Sequence, residues 1–288
     1  MPNPCPASPE RTFGVLGHPV SHSMSPLLHS RALAQNGVRG AYTAWDTPPD
    51  ALAAFMEAFR ETPYAGASVT IPHKEAVIPF LDGMTDTAKT IGAVNTLFWE
   101  NGKLLGHNTD MEGFLTPLSG LDAPDDALVL GAGGAARAVL AGLSSLGVPH
   151  VTITARGLAK AEKLAADYAA SFTSISVLPW EKRLSVEPGA AFWVINTTPV
   201  GMRGKAEGES PLPERWFAAR APERRLAYDL VYNPLETAFL ALARAAGWQS
   251  RDGLDMFVAQ AAAQFRLWTG LEMDAPRARA LLTRHLAP

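Results

Sequence analysis

Residues 125–147 read DDALVLGAGGAARAVLAGLSSLG, an apolar run followed by a glycine-rich turn and a stretch with helical spacing. This order predicts a buried strand, a tight loop and a helix. The loop, residues 131–136, has the spacing G-x-G-x-x-A. In such a loop the first glycine allows the sharp turn and the second lets a pyrophosphate approach the backbone, while the small third residue lets helix and strand pack closely. The stretch therefore predicts a Rossmann-type dinucleotide site, although tight strand–helix turns without a ligand use the same residues.

The end of the next strand, VPHVTITAR at residues 148–156, indicates which nucleotide is bound. An NAD site usually places Asp or Glu there, where the carboxylate accepts from the ribose 2′-hydroxyl. This chain has Arg156 instead, with Lys160 about one turn further on, and no acid. Two cations can bind a 2′-phosphate, and Arg can do so bidentately. Both could also be solvated surface residues, an alternative that is weaker for Arg156 than for Lys160. The expected cofactor is NADP.

Strands and helices alternate on both sides of this unit, which predicts an α/β fold with mostly parallel sheets. Upstream, Ser25 and Pro26 fit a helix N-cap followed by proline at the first helical position. Downstream, residues 190–202 and 224–234 indicate two further strands that run into loops. We expect a substrate-binding α/β domain at residues 1–109, with the helical segment 253–288 packing back on it, and a nucleotide-binding domain at residues 110–252. A cleft is expected between them.

Composition restricts the class of protein. The chain has 288 residues, 47% hydrophobic and 18% charged, with 25 Lys and Arg against 28 Asp and Glu. A net charge of −3 without a basic block argues against nucleic acid or an anionic membrane as a partner. The single cysteine, Cys5, excludes an internal disulfide framework, and the seven histidines show no metal-ligand spacing. The sequence has no apolar run of transmembrane length and no signal-peptide pattern in residues 1–12, so a cytoplasmic protein is expected.

Four segments of the first half carry polar residues that packing alone does not require: HSMSP at 22–26, SVTIPHK at 68–74, GAVNTL at 92–97 and GHNTD at 106–110. Hydroxyls at the mouth of a helix can bind a carboxylate. A buried Asn needs partners for its amide and carbonyl. Each signal also has a plain interpretation: Ser25 or Asp110 as a helix cap, Lys74 as a solvated cation, and Asn95 satisfied by backbone.

Taken in order, these motifs resemble the shikimate and quinate dehydrogenase family. The resemblance extends from residue 14 to about residue 270, through GHPVSHSMSPLLHS, SVTIPHK, GAVNTL, GHNTD, GAGGAARA, NTTPVGM, YDLVYNP and DGLDMFVAQAAAQFRLWTG. It implies NADP-dependent, reversible reduction of 3-dehydroshikimate to shikimate, a step of chorismate and aromatic amino-acid biosynthesis. The expected partner is a small-molecule substrate. The sequence does not distinguish a monomer from a homodimer.

The resemblance further implies roles for individual residues. The substrate carboxylate is bound by residues matching Ser23, Ser25 and Tyr232. The ring hydroxyls are surrounded by residues matching Thr70, Lys74, Asn95, Asp110 and Gln260. Lys74 and Asp110 match the catalytic pair, with Lys74 as the acid/base and Asp110 orienting it and the substrate. The cofactor is bound by residues matching Gly131, Ala132, Gly133, Gly134, Ala135 and Arg156, to which we add Lys160, with Met202 and Gly253 near the nicotinamide.

Five positions depart from the family pattern: Ser68, Met111, Ala155, Gly157 and Asp255. Ser68 replaces a usual Asn, which weakens any hydrogen-bond role expected there. The small residues beside Arg156 imply poorer adenine-side contacts, and Asp255 adds a carboxylate near the expected nicotinamide position. Two alternatives stand beside the leading interpretation. One is an NAD-preferring quinate/shikimate dehydrogenase, and the other is a catalytically silent nucleotide or metabolite sensor on the same fold.

Overall fold

Strands and helices alternate along the part of the chain that the structure, a computed structural model, describes: residues 11–217 and 224–287. The chain divides into two compact units. Unit 1 comprises Met1–Thr109 and Ala261–Leu282, and unit 2 comprises Asp110–Gln260 and Thr283–Pro288. The division falls within two helices, so each of these helices contributes residues to both units. Cys5 lies outside the described residues.

Unit 1 is built on a mixed six-stranded sheet with the strand order β2-β1-β3-β5-β6-β4. β1 pairs in parallel with β2 and β3, whereas β5 pairs antiparallel with β3 and β6. Its strands are β1 Arg11–Gly17, β2 Gly40–Asp46, β3 Tyr64–Val69, β4 Gly83–Met84, β5 Thr96–Glu100 and β6 Lys103–His107. Its helices are α1 Ser25–Gln35, α2 Leu52–Glu61, α3 His73–Ala76 and α4 Asp86–Ile91.

The apolar faces of these elements form the core of unit 1. Strand β1 has five consecutive buried residues at its carboxyl end, as expected for a strand covered on both faces. Helix α2 buries Leu52, Met56 and Phe59, a spacing of three to four residues that places them on one side of the helix. Short loops after β1 and β3 then carry polar residues away from this core.

Unit 2 has six strands, all parallel, in the order β12-β11-β10-β7-β8-β9. Counted from β7, this is the doubly wound order 3-2-1-4-5-6 read backwards, which binds ligands where the order reverses, between β7 and β10. The strands are β7 Asp126–Leu130, β8 His150–Ala155, β9 Ser174–Pro179, β10 Ala191–Asn196, β11 Arg224–Asp229 and β12 Gln249–Arg251. Its helices are α5 Asp110–Leu115, α6 Gly134–Ser145, α7 Leu158–Asp167, α8 Glu214–Phe217 and α9 Ala238–Ala245. The two helices divided between the units are α10 Gly253–Thr269 and α11 Ala275–Leu286.

The Rossmann-type fold expected from the glycine-rich stretch is confirmed. Its core includes Leu128 and Leu130 of β7, Phe192 and Val194 of β10, and Trp248 beside β12. Within residues 11–217 and 224–287, no helix is long and apolar enough to cross a lipid bilayer.

Candidate active site

Two glycines of the loop after β7 differ in why the position is glycine: the fold requires Gly131 but not Gly133. Gly131 has φ +116°, and a Cβ there would collide with the Thr197 hydroxyl, so the fold itself demands glycine. Gly133 has an ordinary φ of −93°, and a Cβ there would meet no atom of the described residues within 4 Å. Packing therefore does not explain Gly133. The space beside it, at the start of α6, suits a group that approaches the backbone closely, as a pyrophosphate does.

The loop after β10 lies against the end of β7. The Thr197 N–H and hydroxyl both donate to the Leu130 carbonyl, at 2.9 and 2.7 Å. The Asn196 side-chain oxygen accepts from the backbone N–H and the hydroxyl of Thr198, at 3.0 and 2.6 Å. These bonds shape the NTTPVGM loop at the point where the strand order reverses. Met202, half-buried, comes at its end.

Asp229, at the end of β11, is a buried carboxylate that joins two loops. Its Oδ1 accepts from Asn196 Nδ2 at 2.9 Å and from the Val231 N–H at 3.0 Å, and its Oδ2 accepts from the Thr237 hydroxyl at 2.6 Å. Burial raises the pKa of Asp229 from 3.8 to about 7, although the three hydrogen bonds oppose the rise. The Asp229 carboxyl thus connects the loop that carries Met202 to the loop that carries Tyr232.

The start of α10 packs directly on the end of β11. A Cβ at Gly253 would collide with the Leu230 carbonyl, and the Gly253 N–H donates to the Val231 carbonyl at 3.2 Å. The Tyr232 ring stacks on Phe257, with ring centroids 4.5 Å apart. Glycine at position 253 is therefore a packing requirement.

Helix α5 and the first turns of α10 also pack closely. A Cβ at Gly113 would lie 2.8 Å from the Met256 carbonyl and 2.9 Å from Gln260 Cβ, so only glycine allows this approach. Asp110 is the first residue of α5 and is 5% exposed, and Gln260 is half-buried. Within unit 2 this packing sets Asp110 and Gln260 on two helices in contact.

Arg156 directly follows β8, where the sequence places the 2′-phosphate contact. Its side chain is exposed and has neither a hydrogen-bond nor an ion-pair partner among the described residues. Lys160, in α7, is also exposed. Arg156, an exposed cation that the fold does not use, is available to a phosphate.

In unit 1, the SVTIPHK segment is fixed from both sides. The Thr70 N–H donates to the Leu16 carbonyl at 2.8 Å, and the buried His73 ring bonds the Thr47 carbonyl at 2.7 Å. The Lys74 carbonyl accepts from the Val94 N–H at 2.7 Å. Lys74 itself is half-buried. The backbone that carries it is therefore held to both neighbouring loops.

Asn95 is 2% exposed and is held by hydrogen bonds on both sides of its amide. Its Oδ1 accepts from the Thr109 N–H at 2.8 Å and from the Thr96 hydroxyl at 2.7 Å, and its Nδ2 donates to the Thr109 hydroxyl at 2.9 Å. Because a backbone N–H can only donate, the first of these bonds identifies the oxygen and fixes the amide orientation.

One expectation for the polar segments of unit 1 was wrong. Ser25 is not the N-cap of α1: Met24 holds that position without a side-chain bond, and the Ser25 N–H donates to the Ser23 hydroxyl at 3.3 Å. Ser68, a residue that departs from the family pattern, is hydrogen-bonded to two buried side chains. Its hydroxyl accepts from Tyr42 at 2.7 Å and donates to Gln264 at 2.8 Å.

The sequence reasoning missed Asp229, Tyr42 and Gln264. An acid inside the apolar run LAYDLVY was a usable signal for Asp229, because a buried carboxylate needs partners. Gln264 follows Gln260 by one helical turn, which was a weaker signal. No group of three or more His, Cys, Asp or Glu suited to a metal ion occurs in the described ranges.

Comparison with known proteins identifies relatives along almost the whole chain. Residues 15–97 match the model of the shikimate dehydrogenase substrate binding domain, and residues 253–283 match that of the shikimate 5′-dehydrogenase C-terminal domain. The chain is 48% identical to a shikimate dehydrogenase (NADP(+)) of Oleidesulfovibrio alaskensis, over 98% of both chains. It is 43% identical to one of Maridesulfovibrio salexigens, over 96% of this chain and 98% of that protein.

A solved structure of a shikimate dehydrogenase is also similar to this chain. The crystal structure of shikimate 5-dehydrogenase from Thermus thermophilus, in complex with NADP(H) and shikimate, has a TM-score of 0.80 and 40% sequence identity. The alignment covers 96% of this chain and 100% of that chain.

Proposed function

This chain belongs to the shikimate dehydrogenase family, and from that we propose that it catalyses the NADP-dependent, reversible reduction of 3-dehydroshikimate to shikimate. The single observation that carries the proposal is the 48% identity to an NADP-dependent shikimate dehydrogenase over 98% of both chains. In biosynthesis the reaction serves the formation of chorismate and the aromatic amino acids.

The residues of unit 2 fit a bound NADP. The backbone of Gly131, Gly133 and the start of α6 would bind the pyrophosphate, supported by the space beside Gly133. Arg156, with Lys160, would bind the 2′-phosphate. The nicotinamide would be bordered by Met202 and Gly253. When bound, NADP supplies the hydride acceptor of the oxidation and its reduced form the hydride donor of the reduction.

The alternative interpretations are not favoured. An NAD-preferring enzyme would usually carry an acid at the end of β8, where this chain has the exposed Arg156. A silent sensor would have no need of Lys74 and Asp110, which are both present.

We assign the proton transfer to Lys74 and Asp110, the residues that match the catalytic pair of the family. Oxidation of a secondary alcohol releases a proton that the nicotinamide does not take, so a side chain must accept it, and must return it in the reduction. Lys74 is assigned this proton, and Asp110 the orientation of the reacting groups. Lys74 is suited to the role because the backbone on which it stands is fixed by the bonds at Val94 and His73.

The remaining polar residues are assigned to substrate binding. Ser23, Ser25 and Tyr232 would bind the carboxylate of the substrate. Thr70, Asn95 and Gln260 would bind the ring hydroxyls, together with the catalytic pair. In unit 1, the fixed amide of Asn95 supports this assignment, because a rigid amide costs little entropy on binding.

The test is consumption of NADPH, followed by its absorbance, when 3-dehydroshikimate is added to the purified protein. We expect turnover by the wild type and strongly reduced turnover by Lys74→Met. The matched control is Lys89→Met, because Lys89 is an exposed lysine of the same unit whose side chain forms an ion pair with Asp86. It should leave the rate unchanged. Absence of turnover by folded wild-type protein that binds NADPH would overturn the proposal.

A further inference from the structure

A chain of buried hydrogen bonds in unit 1 leads from Tyr42 to Asn95. The Tyr42 hydroxyl donates to Ser68 Oγ at 2.7 Å, and Ser68 Oγ donates to Gln264 Oε1 at 2.8 Å. Gln264 Nε2 then donates to the backbone carbonyl of Asn95 and to Thr96 Oγ1, both at 3.0 Å. All five side chains are less than 9% exposed.

The hydrogen-bond partners determine which group donates in each bond of this series. The Ser68 hydroxyl has one proton, which goes to Gln264, so it must accept from Tyr42. Thr96 Oγ1 accepts from Gln264, so its own proton is directed to Asn95 Oδ1, at 2.7 Å. Each bond therefore supports the next. Together they favour the orientation in which Asn95 Oδ1 accepts from the Thr96 hydroxyl.

The first member of the chain is itself held firmly. The His29 ring stacks on Tyr42, with ring centroids 4.5 Å apart and planes at 11°. Burial raises the pKa of Tyr42, and hydrogen bonds with Ser68 and Ser25 partly oppose this rise. Ser25 is assigned to the substrate carboxylate and Asn95 to a ring hydroxyl, so the chain connects two of the proposed substrate contacts within one unit.

We propose that Tyr42, Ser68 and Gln264 are positioning residues that act through Thr96 and, together with the Thr109 N–H, hold the Asn95 side chain in place for substrate binding. The inference rests on the proposed function, because it assigns these residues a role through Asn95. Gln264, 196 residues away in the sequence, connects Ser68 to the Asn95 backbone carbonyl and to Thr96.

The experiment is a double-mutant cycle between Gln264→Met and Asn95→Ala, with steady-state kinetics for shikimate and for NADP. Methionine preserves the length of Gln264 and removes its hydrogen bonds. We expect Gln264→Met to raise the KM for shikimate about tenfold, since small misplacements of binding groups have large kinetic effects. The KM for NADP should change by less than about twofold. In the Asn95→Ala background the same substitution should have no further effect on the KM for shikimate.

Trp99→Phe is the matched control. Trp99 lies in β5 of the same unit, is half-buried, and donates one hydrogen bond to the β3 backbone, to the Tyr64 carbonyl at 2.8 Å. It should leave the KM for shikimate within about twofold of the wild-type value. Tyr42→Phe, which removes only a hydroxyl, repeats the test at the other end of the chain if Gln264→Met does not fold.

Additive effects of Gln264→Met and Asn95→Ala would overturn the inference, as would an equal rise in KM with Trp99→Phe. Both would indicate a general structural role. A wild-type protein that binds NADP but does not turn over shikimate would instead refute the proposed function itself. The two failures are therefore distinguishable.

Discussion

Replacing Asp229 by asparagine should remove a large part of the pH dependence of stability. The native state raises the pKa of this carboxyl from 3.8 to about 7 because of burial, so it binds the proton more tightly than the unfolded chain does. The stabilising contribution is therefore fully present below pH 3.8 and is lost as the pH rises towards about 7. At roughly 1.4 kcal/mol per pKa unit, the total loss is about 4 kcal/mol, of which about 3 kcal/mol falls between about pH 5 and pH 8.

The site can accept the amide if the Thr237 hydroxyl, which donates to Oδ2 in the wild type, accepts instead. If Asn Nδ2 takes the place of Oδ2, it can donate to the Thr237 hydroxyl, while Oδ1 keeps the bonds from Asn196 and Val231. Burial lowers the pKa of His29 to about 3, which changes stability in the opposite direction at acid pH. That contribution is the same in both proteins and cancels in the comparison.

The assay is the free energy of unfolding in urea, measured from about pH 5 to pH 8 for the wild type and Asp229→Asn. We expect the wild type to lose about 3 kcal/mol more than the variant over this range. Asp82→Asn is the control. Arg60 lowers the pKa of Asp82, so this carboxyl does not titrate in this interval. Parallel curves for the wild type and Asp229→Asn would refute the reasoning.

Three further substitutions test the cofactor and catalytic assignments. Arg156→Ala should raise the KM for NADP about 10- to 100-fold and leave the KM for NAD unchanged, since it removes charge-assisted bonds to the 2′-phosphate alone; equal effects on both would contradict the assignment. Gly133→Ala should keep the thermal midpoint of the free protein and lower NADP affinity at least about tenfold in a fluorescence titration, whereas Gly131→Ala should lower the midpoint as well. Lys74→Met should reduce kcat about 10²- to 10⁴-fold with an unchanged Kd for NADP; a loss of NADP binding would point to misfolding.

Much of the fold could be predicted from the sequence because the deciding signals are local. The apolar runs and the glycine-rich loop at residues 131–136 are each contained within a short segment. The position of Arg156 after β8 was also predictable, since it depends only on the end of one strand.

The hydrogen-bond networks could not be predicted in the same way. Ser68 and Gln264 are 196 residues apart in the sequence and meet only in the folded unit. Ser25 satisfied the local rule for an N-cap, yet the helix begins one residue earlier than that rule implies. The Ser25 hydroxyl is hydrogen-bonded with Tyr42 instead. Such contacts depend on tertiary packing, which overrides local preference.

The most direct test of the central claim is the rate of reduced-nicotinamide formation by the wild-type protein with shikimate or quinate, each combined with NADP or NAD. We predict that kcat/KM is highest for shikimate with NADP, by at least about tenfold over each other combination. Equal or faster turnover with NAD would contradict the role of Arg156, and equal turnover of quinate would contradict the assigned substrate.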